Sequence, residues 1–281
     1  MTIGFIGAGK VGCSLGKYLS ACGNALSGYY SKSSSSAREA AAFTGARCYD
    51  KKAQLIAESD VIFLTVPDDA ITTVWNEIKE LLPAGRIICH CSGVLSSDIF
   101  SDRQRYHVLA ASIHPLLAVS DKLRSYREFS QALFTVEGDE NGLAPLLTLF
   151  EKGKNRMVRI RPSDKPRYHA AAVMGSNLML SLAQAAAKEL MRCGFSEEEA
   201  RGALIPFALS NLGHANERPI PECLTGPLER GDAGTIEKHL STLTGNHIDI
   251  YRALSQELLE VAMQKNPGRD YEKIRKLLRV P

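Results

Sequence analysis

Apolar and polar positions follow two different rhythms along this 281-residue chain, and the change of rhythm divides it. Up to about residue 160, short apolar runs alternate with segments of helical spacing, the signature of a parallel sheet covered by helices on both faces. The runs at 2–6, 25–30, 48–50, 61–66, 86–91, 108–113 and 132–136 read as strands. Helices are expected at 37–43, around 54–57 and at 70–82, where Ile71, Val74, Trp75, Ile78 and Leu81 form one apolar stripe. Beyond residue 160 the spacing is helical throughout. A helix over 167–193 is apolar almost all round, which implies burial between partners. The next starts at Ser196, an N-cap followed by Glu197, Glu198 and Glu199. Residues 213–234, with Pro219, Pro221, Gly226, Pro227 and Gly231, read as a long irregular stretch of the kind that is commonly functional. The pattern predicts a doubly wound, mainly parallel α/β domain of Rossmann type over 1–160 and an all-α domain over 161–281.

The turn out of the first strand holds Gly7-Ala8-Gly9-Lys10-Val11-Gly12. In a dinucleotide-binding unit the first glycine permits the tight turn and the second lets the backbone approach the pyrophosphate. The third lets helix and strand pack closely. A lone fingerprint is a weak signal, but here a strand precedes it and Leu15, Tyr18 and Leu19 continue at helical spacing. An NAD site normally adds a carboxylate at the end of the second strand, where it bonds the ribose 2′-hydroxyl. No Asp or Glu precedes Glu39. Ser31, Lys32 and Ser33 occupy that position instead, with Arg38 behind them, and suit a 2′-phosphate that a carboxylate would repel. The expected cofactor is NADP(H).

Composition narrows the rest. Apolar content of 44% and charged content of 23% are those of a globular protein, and a net charge of +3 gives no reason to expect nucleic acid. No apolar run looks long enough for a membrane span, and the first strand leaves no room for a secretory signal, so a cytoplasmic protein is expected. Seven scattered cysteines without a C-x-x-C pair fit reduced thiols. Cys89-His90-Cys91 looks like a metal cluster, but on a strand His90 would oppose the two cysteines, and no metal is expected.

Ligands gather at the carboxyl ends of strands in open α/β sheets. Val66, Pro67-Asp68-Asp69, Ser92-Gly93 and His114-Pro115 are therefore expected near the cofactor. His114 is the leading proton donor, since an ordinary histidine titrates near neutrality; its alternative is to hold the turn. His169 is a second catalytic candidate. Ser92, Lys165, Asn177 and Arg230 are candidates for holding a small carboxylate or carbonyl substrate. Each has a structural alternative: a tight turn for Ser92, a helix start for Lys165 and His169, a satisfied amide for Asn177, and an ion pair with Asp232 for Arg230.

The segments 3–12 and 60–68, followed by a helical second half, resemble the 6-phosphogluconate dehydrogenase-like superfamily. It includes β-hydroxyacid dehydrogenases, pyrroline-5-carboxylate reductase, ketopantoate reductase, prephenate dehydrogenase and deazaflavin-dependent NADP reductases. The segments 90–93, 112–116 and 225–232 resemble a little-characterised branch with a C-terminal domain of unassigned function, some of whose members are implicated in ketopantoate reduction. The resemblance implies NADP(H), a homodimer through the helical domains, and a substrate cleft between domains. It also likens His114-Pro115 to the His-Pro of prephenate dehydrogenase, whose histidine contacts the substrate oxygen. Superfamily hydroxyacid dehydrogenases carry a lysine and, four residues later, an asparagine on the first helix of the second domain. Counted from His169, that pair is absent here: Val173 comes four residues on and Asn177 eight. Reduction of a 2-oxo acid or imine, a non-catalytic NADP sensor, and hydride exchange with a deazaflavin all remain open.

Overall fold

The structure, a computed structural model, describes residues 1–279. The chain divides into two compact units, 1–175 and 176–281.

In the first unit the glycine turn separates strand β1 (Thr2–Ile6) from helix α1 (Lys10–Ala21). Then come β2 (Ala25–Tyr30), α2 (Ser34–Thr44), β3 (Arg47–Cys48), α3 (Lys52–Ala57), β4 (Val61–Leu64), α4 (Asp68–Ile78), β5 (Ile87–His90), β6 (Leu109–Pro115), β7 (Phe134–Gly138), α5 (Glu140–Thr148), β8 (Met157–Arg159) and α6 (Lys165–Met174). The strands make one sheet in the order β3-β2-β1-β4-β5-β6-β7-β8. All neighbours are parallel except β6 and β7, which run antiparallel with His114 opposite Thr135. The order reverses direction between β1 and β4, which is where doubly wound folds bind dinucleotides.

Central strands buried on both faces explain the unbroken apolar runs: all four residues of β4 and of β5 are buried. One core layer joins Phe5, stacked on both Tyr29 and Phe63, to Leu15 and Leu19 of α1. The other sets Ile6, Ile62 and Ile88 against Ile71, Val74, Trp75 and Ile78 of α4.

Two elements, α5 and β8, were not legible in the sequence. The α5 segment contains Gly142 and Pro145, both poor helix formers, and β8 is three residues long with two exposed. The single helix expected over 167–193 is two. α6 has 10 residues and α7 (Asn177–Arg192) has 16, separated at Gly175-Ser176. The compact sheet unit extends to Gly175 rather than to 160, because α6 is tied to the strand ends by side-chain bonds.

The second unit continues with α8 (Glu197–Glu217), α9 (Ile220–Cys223), α10 (Pro227–Arg230), α11 (Ala233–Thr242), α12 (Asn246–Lys265) and α13 (Glu272–Leu278). Ser196 caps α8 in a full capping box with Glu199. The stretch 213–234 is not a structureless loop: α8 runs into it and two short helices follow. Each short helix has a proline in its first turn, where the missing N–H costs nothing.

The expectation that α7 is buried does not hold within one chain. Only Ala187 of α7 is buried, and Leu180 is 72% exposed. Residues 162–192 also contain an 18-residue window of mean hydropathy 1.3, apolar enough by composition to cross a membrane, contrary to the sequence reading. The break at Gly175-Ser176 leaves each helix shorter than the ~20 residues a span requires.

Candidate active site

The glycine positions set out a cradle. Gly7 has φ 109°, and a Cβ there would stand 2.7 Å from the Thr65 carbonyl. The same contact lets Thr65 Oγ1 donate to the Gly7 carbonyl at 2.8 Å, joining the ends of β1 and β4. A Cβ on Gly12 would strike both Thr65 Oγ1 and the Gly7 carbonyl oxygen. Gly9 has open space in front of it, and α1 starts there with no acid in its first turn and no side-chain cap. Its N–H groups and positive dipole end are left for an anion. The start of α2 is also acid-free, with Ser33 as N-cap accepting from the Ser36 N–H. Lys32 and Ser33 are exposed beside it, with Ser31 half-buried, while Arg38 donates to Ser34 Oγ at 3.2 Å. Gly7, Gly9 and the two helix starts fit a pyrophosphate and a second phosphate. Ala8 is buried, Lys10 is exposed, and Val11 is half-buried beyond the turn. At the next strand end Val66 is half-buried and Pro67 exposed, and Pro67 is the N-cap of α4.

A second cluster joins the ends of β4, β5 and β6 to α6. Ser92 Oγ donates to Asp68 Oδ2 at 2.7 Å and receives the N–H groups of Val94 and Leu95. Lys165, 1% exposed, donates from Nζ to the Ser92 carbonyl at 2.6 Å and to Ser112 Oγ at 2.7 Å. No carboxylate lies within ion-pair distance of it among the described residues, and burial holds its amine below the ordinary lysine range. Glu137, also buried and pushed up by burial, accepts from the Ser97 N–H and Oγ and contributes a longer-range attraction to Lys165.

Lys165, Tyr168 and His169 share one face of α6 at helical spacing. His114 Nδ1 is 2.7 Å from the Tyr168 hydroxyl, and the His114 and His169 rings meet edge to face with centroids 6.1 Å apart. Both press on Gly93: a Cβ there would lie 3.0 Å from His114 Nε2 and 3.1 Å from His169 Nε2. Burial, the Lys165 charge and the neighbouring histidines pull His114 down to about 4. At neutral pH it is uncharged, unlike the ordinary donor expected from the sequence.

His90 borders this cluster through Ser92. Its Nδ1 accepts from the Ser92 N–H, its Nε2 lies 3.1 Å from the Ser96 carbonyl, and burial pulls it down to about 4.

Of the residues read from sequence, Ser92, His114, Lys165 and His169 come together. Lys165 stands at a helix start, as its structural alternative had it, and there its amine is a buried brace between strand ends. Asn177 and Arg230 belong to the second unit and are exposed. Asn177 Oδ1 accepts from Ser176 Oγ at 3.1 Å. Asp232, the alternative partner of Arg230, instead caps α11 by accepting from the Thr235 N–H. Asp68 and Gly93 lie at strand ends that were expected near the cofactor, whereas Tyr168 and Ser112 were missed as members of the cluster. Spacing offered a signal for both: Ser112 shares a strand face with His114, and Tyr168 lies one turn from Lys165.

Residues 2–92 match the family described as NADP oxidoreductase coenzyme F420-dependent, and residues 132–258 match a domain of unknown function, DUF2520. The chain is an NADP-binding Rossmann domain followed by a domain of that uncharacterised kind. A Thermotoga maritima protein of known structure is 27% identical with a TM-score of 0.74, over 94% of this chain and 99% of its own. The Plasmodium falciparum pyrroline carboxylate reductase, solved with NADP bound, shares the fold at 15% identity and TM-score 0.65, over 96% and 98% of the two chains. A Streptomyces aurantiacus imine reductase does so at 15% and 0.64, over the full length of both. Curated protein sequences give no match.

Lys165 starts α6, and His169 stands four residues later on the same helix.

Proposed function

We propose that the protein is an NADPH-dependent reductase of a small carbonyl or imine compound, with a 2-oxo acid such as ketopantoate as a leading candidate. The observation that carries this reading is the convergence of His114 and His169 on Gly93, with buried Lys165 bonded to the adjacent Ser92 carbonyl and to Ser112, at strand ends of the sheet that also carries the glycine cradle. NADPH, when bound, supplies the hydride. Reduction then requires one proton on the oxygen or nitrogen of the substrate. His114, neutral, presents a hydrogen bond that polarises the double bond. His169, half-buried beside it, delivers the proton and regains it from water. Lys165 holds the ends of β5 and β6 together, and burial, aided by its charge, keeps His114 uncharged. We also propose a homodimer through α7 and α8, whose Leu180, Phe207 and Leu209 are each more than 60% exposed in one chain.

The test is NADPH oxidation against a panel of 2-oxo acids, including ketopantoate, and cyclic imines, with NADH in parallel. Turnover with NADPH preference is expected. NADPH binding without turnover of any compound favours a sensor instead.

The match of residues 2–92 to the F420-dependent family supports a second reading, hydride exchange with a deazaflavin. It predicts NADPH oxidation only when that deazaflavin is supplied.

A further inference from the structure

His114 and Thr135 face each other across the antiparallel pair β6 and β7, and the Tyr168 phenol reaches both from α6. We propose that Tyr168 is a positioning residue that fixes His114 as the tautomer protonated on Nε2, so that the N–H points over Gly93 at the reacting group. The inference rests on the reductase reading for its purpose, but not for its geometry.

Three observations support it. First, the Nδ1-to-hydroxyl distance of 2.7 Å is a full hydrogen bond, so one partner must donate. A phenol is the more acidic of the two groups and imidazole nitrogen the more basic, so the stronger bond runs from Tyr168 O–H to Nδ1. Second, the buried Thr135 hydroxyl, unpaired at ordinary hydrogen-bond geometry, lies beside the same phenol. Thr135 thus takes no proton from the phenol at bonding distance, which leaves that proton to His114. Third, the ring stands edge-on to Tyr168 at an interplanar angle of 81°, which leaves Nε2 on the Gly93 side. A neutral imidazole has one proton, and the bond made by one nitrogen decides what the other offers.

The arrangement separates two tasks that a single histidine would combine. His114 donates a hydrogen bond without changing charge, and the proton that is consumed comes from elsewhere.

The test uses the full chain with 15N-labelled histidine, and assigns the His114 signals by their loss in His114→Gln. At neutral pH the wild type should show an unprotonated, pyridine-type Nδ1 and a protonated Nε2. Tyr168→Phe should move His114 to a mixture of tautomers or to the opposite one, and Thr135→Val should move it less. In steady-state assays Tyr168→Phe should lower kcat tenfold or more while leaving NADPH affinity within twofold. A protonated Nδ1 in the wild type, or an unchanged tautomer in Tyr168→Phe, overturns the proposal. Failure of the wild type to reduce any substrate counts against the reductase reading alone, because the nitrogen spectra still decide the role of Tyr168.

Discussion

The Lys165 ammonium rests 2.6 Å from the Ser92 carbonyl, 73 residues earlier in the chain, inside the protein and, among the described residues, without a carboxylate in contact. Burial lowers the folded-state pKa below the ordinary 10.5, so the unfolded chain binds this proton more tightly. The penalty is full below the folded pKa and disappears as pH rises toward 10.5. Stability should therefore gain from this residue as pH rises toward 10.5. Urea unfolding between pH 7 and 10 should show a smaller upward slope in Lys165→Met than in the wild type, and equal slopes would refute the assignment.

His90 acts on the acid side. Its folded-state value of about 4 lies below the ordinary 6.5, so the unfolded state alone takes up the proton between those values. Stability is lost as pH falls through that window, by about 3 kcal/mol at its foot. His114 has the same shift and adds to the loss. His90→Asn should flatten the decline measured by denaturant midpoints from pH 7 to 4.5. A decline as steep as that of the wild type would assign it to other groups.

Gly93→Ala places a methyl group against His114 and His169. One ring must move, at a stability cost of about 1–3 kcal/mol. Turnover should fall at least tenfold while NADPH affinity changes by less than twofold. Unchanged kcat would remove the histidine pair from the chemistry.

Lys32 is exposed beside the acid-free start of α2. Lys32→Ala should weaken NADPH about tenfold, roughly 1.4 kcal/mol, and leave NADH nearly unaffected. Calorimetric titration with both nucleotides checks it, and equal loss for the two would mean that Lys32 does not meet the 2′-phosphate.

Leu180, at 72% exposure, is the most exposed of the large apolar side chains on α7. If that face is the dimer contact, Leu180→Glu should convert a dimer to a monomer in sedimentation equilibrium. A wild-type monomer would disprove the contact outright.

The sequence by itself determined what local chemistry can dictate. The glycine spacing needs only a turn and a helix start, so the cradle at Gly7, Gly9 and Gly12 was legible. The capping box at Ser196 was legible for the same reason, and the absence of acids before Glu39 already favoured a phosphate. Buried strands were legible because both faces demand apolar side chains. Helix α5 was hidden by Gly142 and Pro145, and the break at Gly175-Ser176 was hidden by apolar residues on both sides. The working cluster was a tertiary decision. Ser92, His114 and Tyr168 are far apart in the chain, and only the sheet order and the docking of α6 bring them together. Burial, a property of the folded molecule alone, turned the Lys165 ammonium at the start of α6 into a brace. It also turned His114 from an ordinary titrating histidine into a neutral one, because removing water penalises the charged form that a free side chain would adopt.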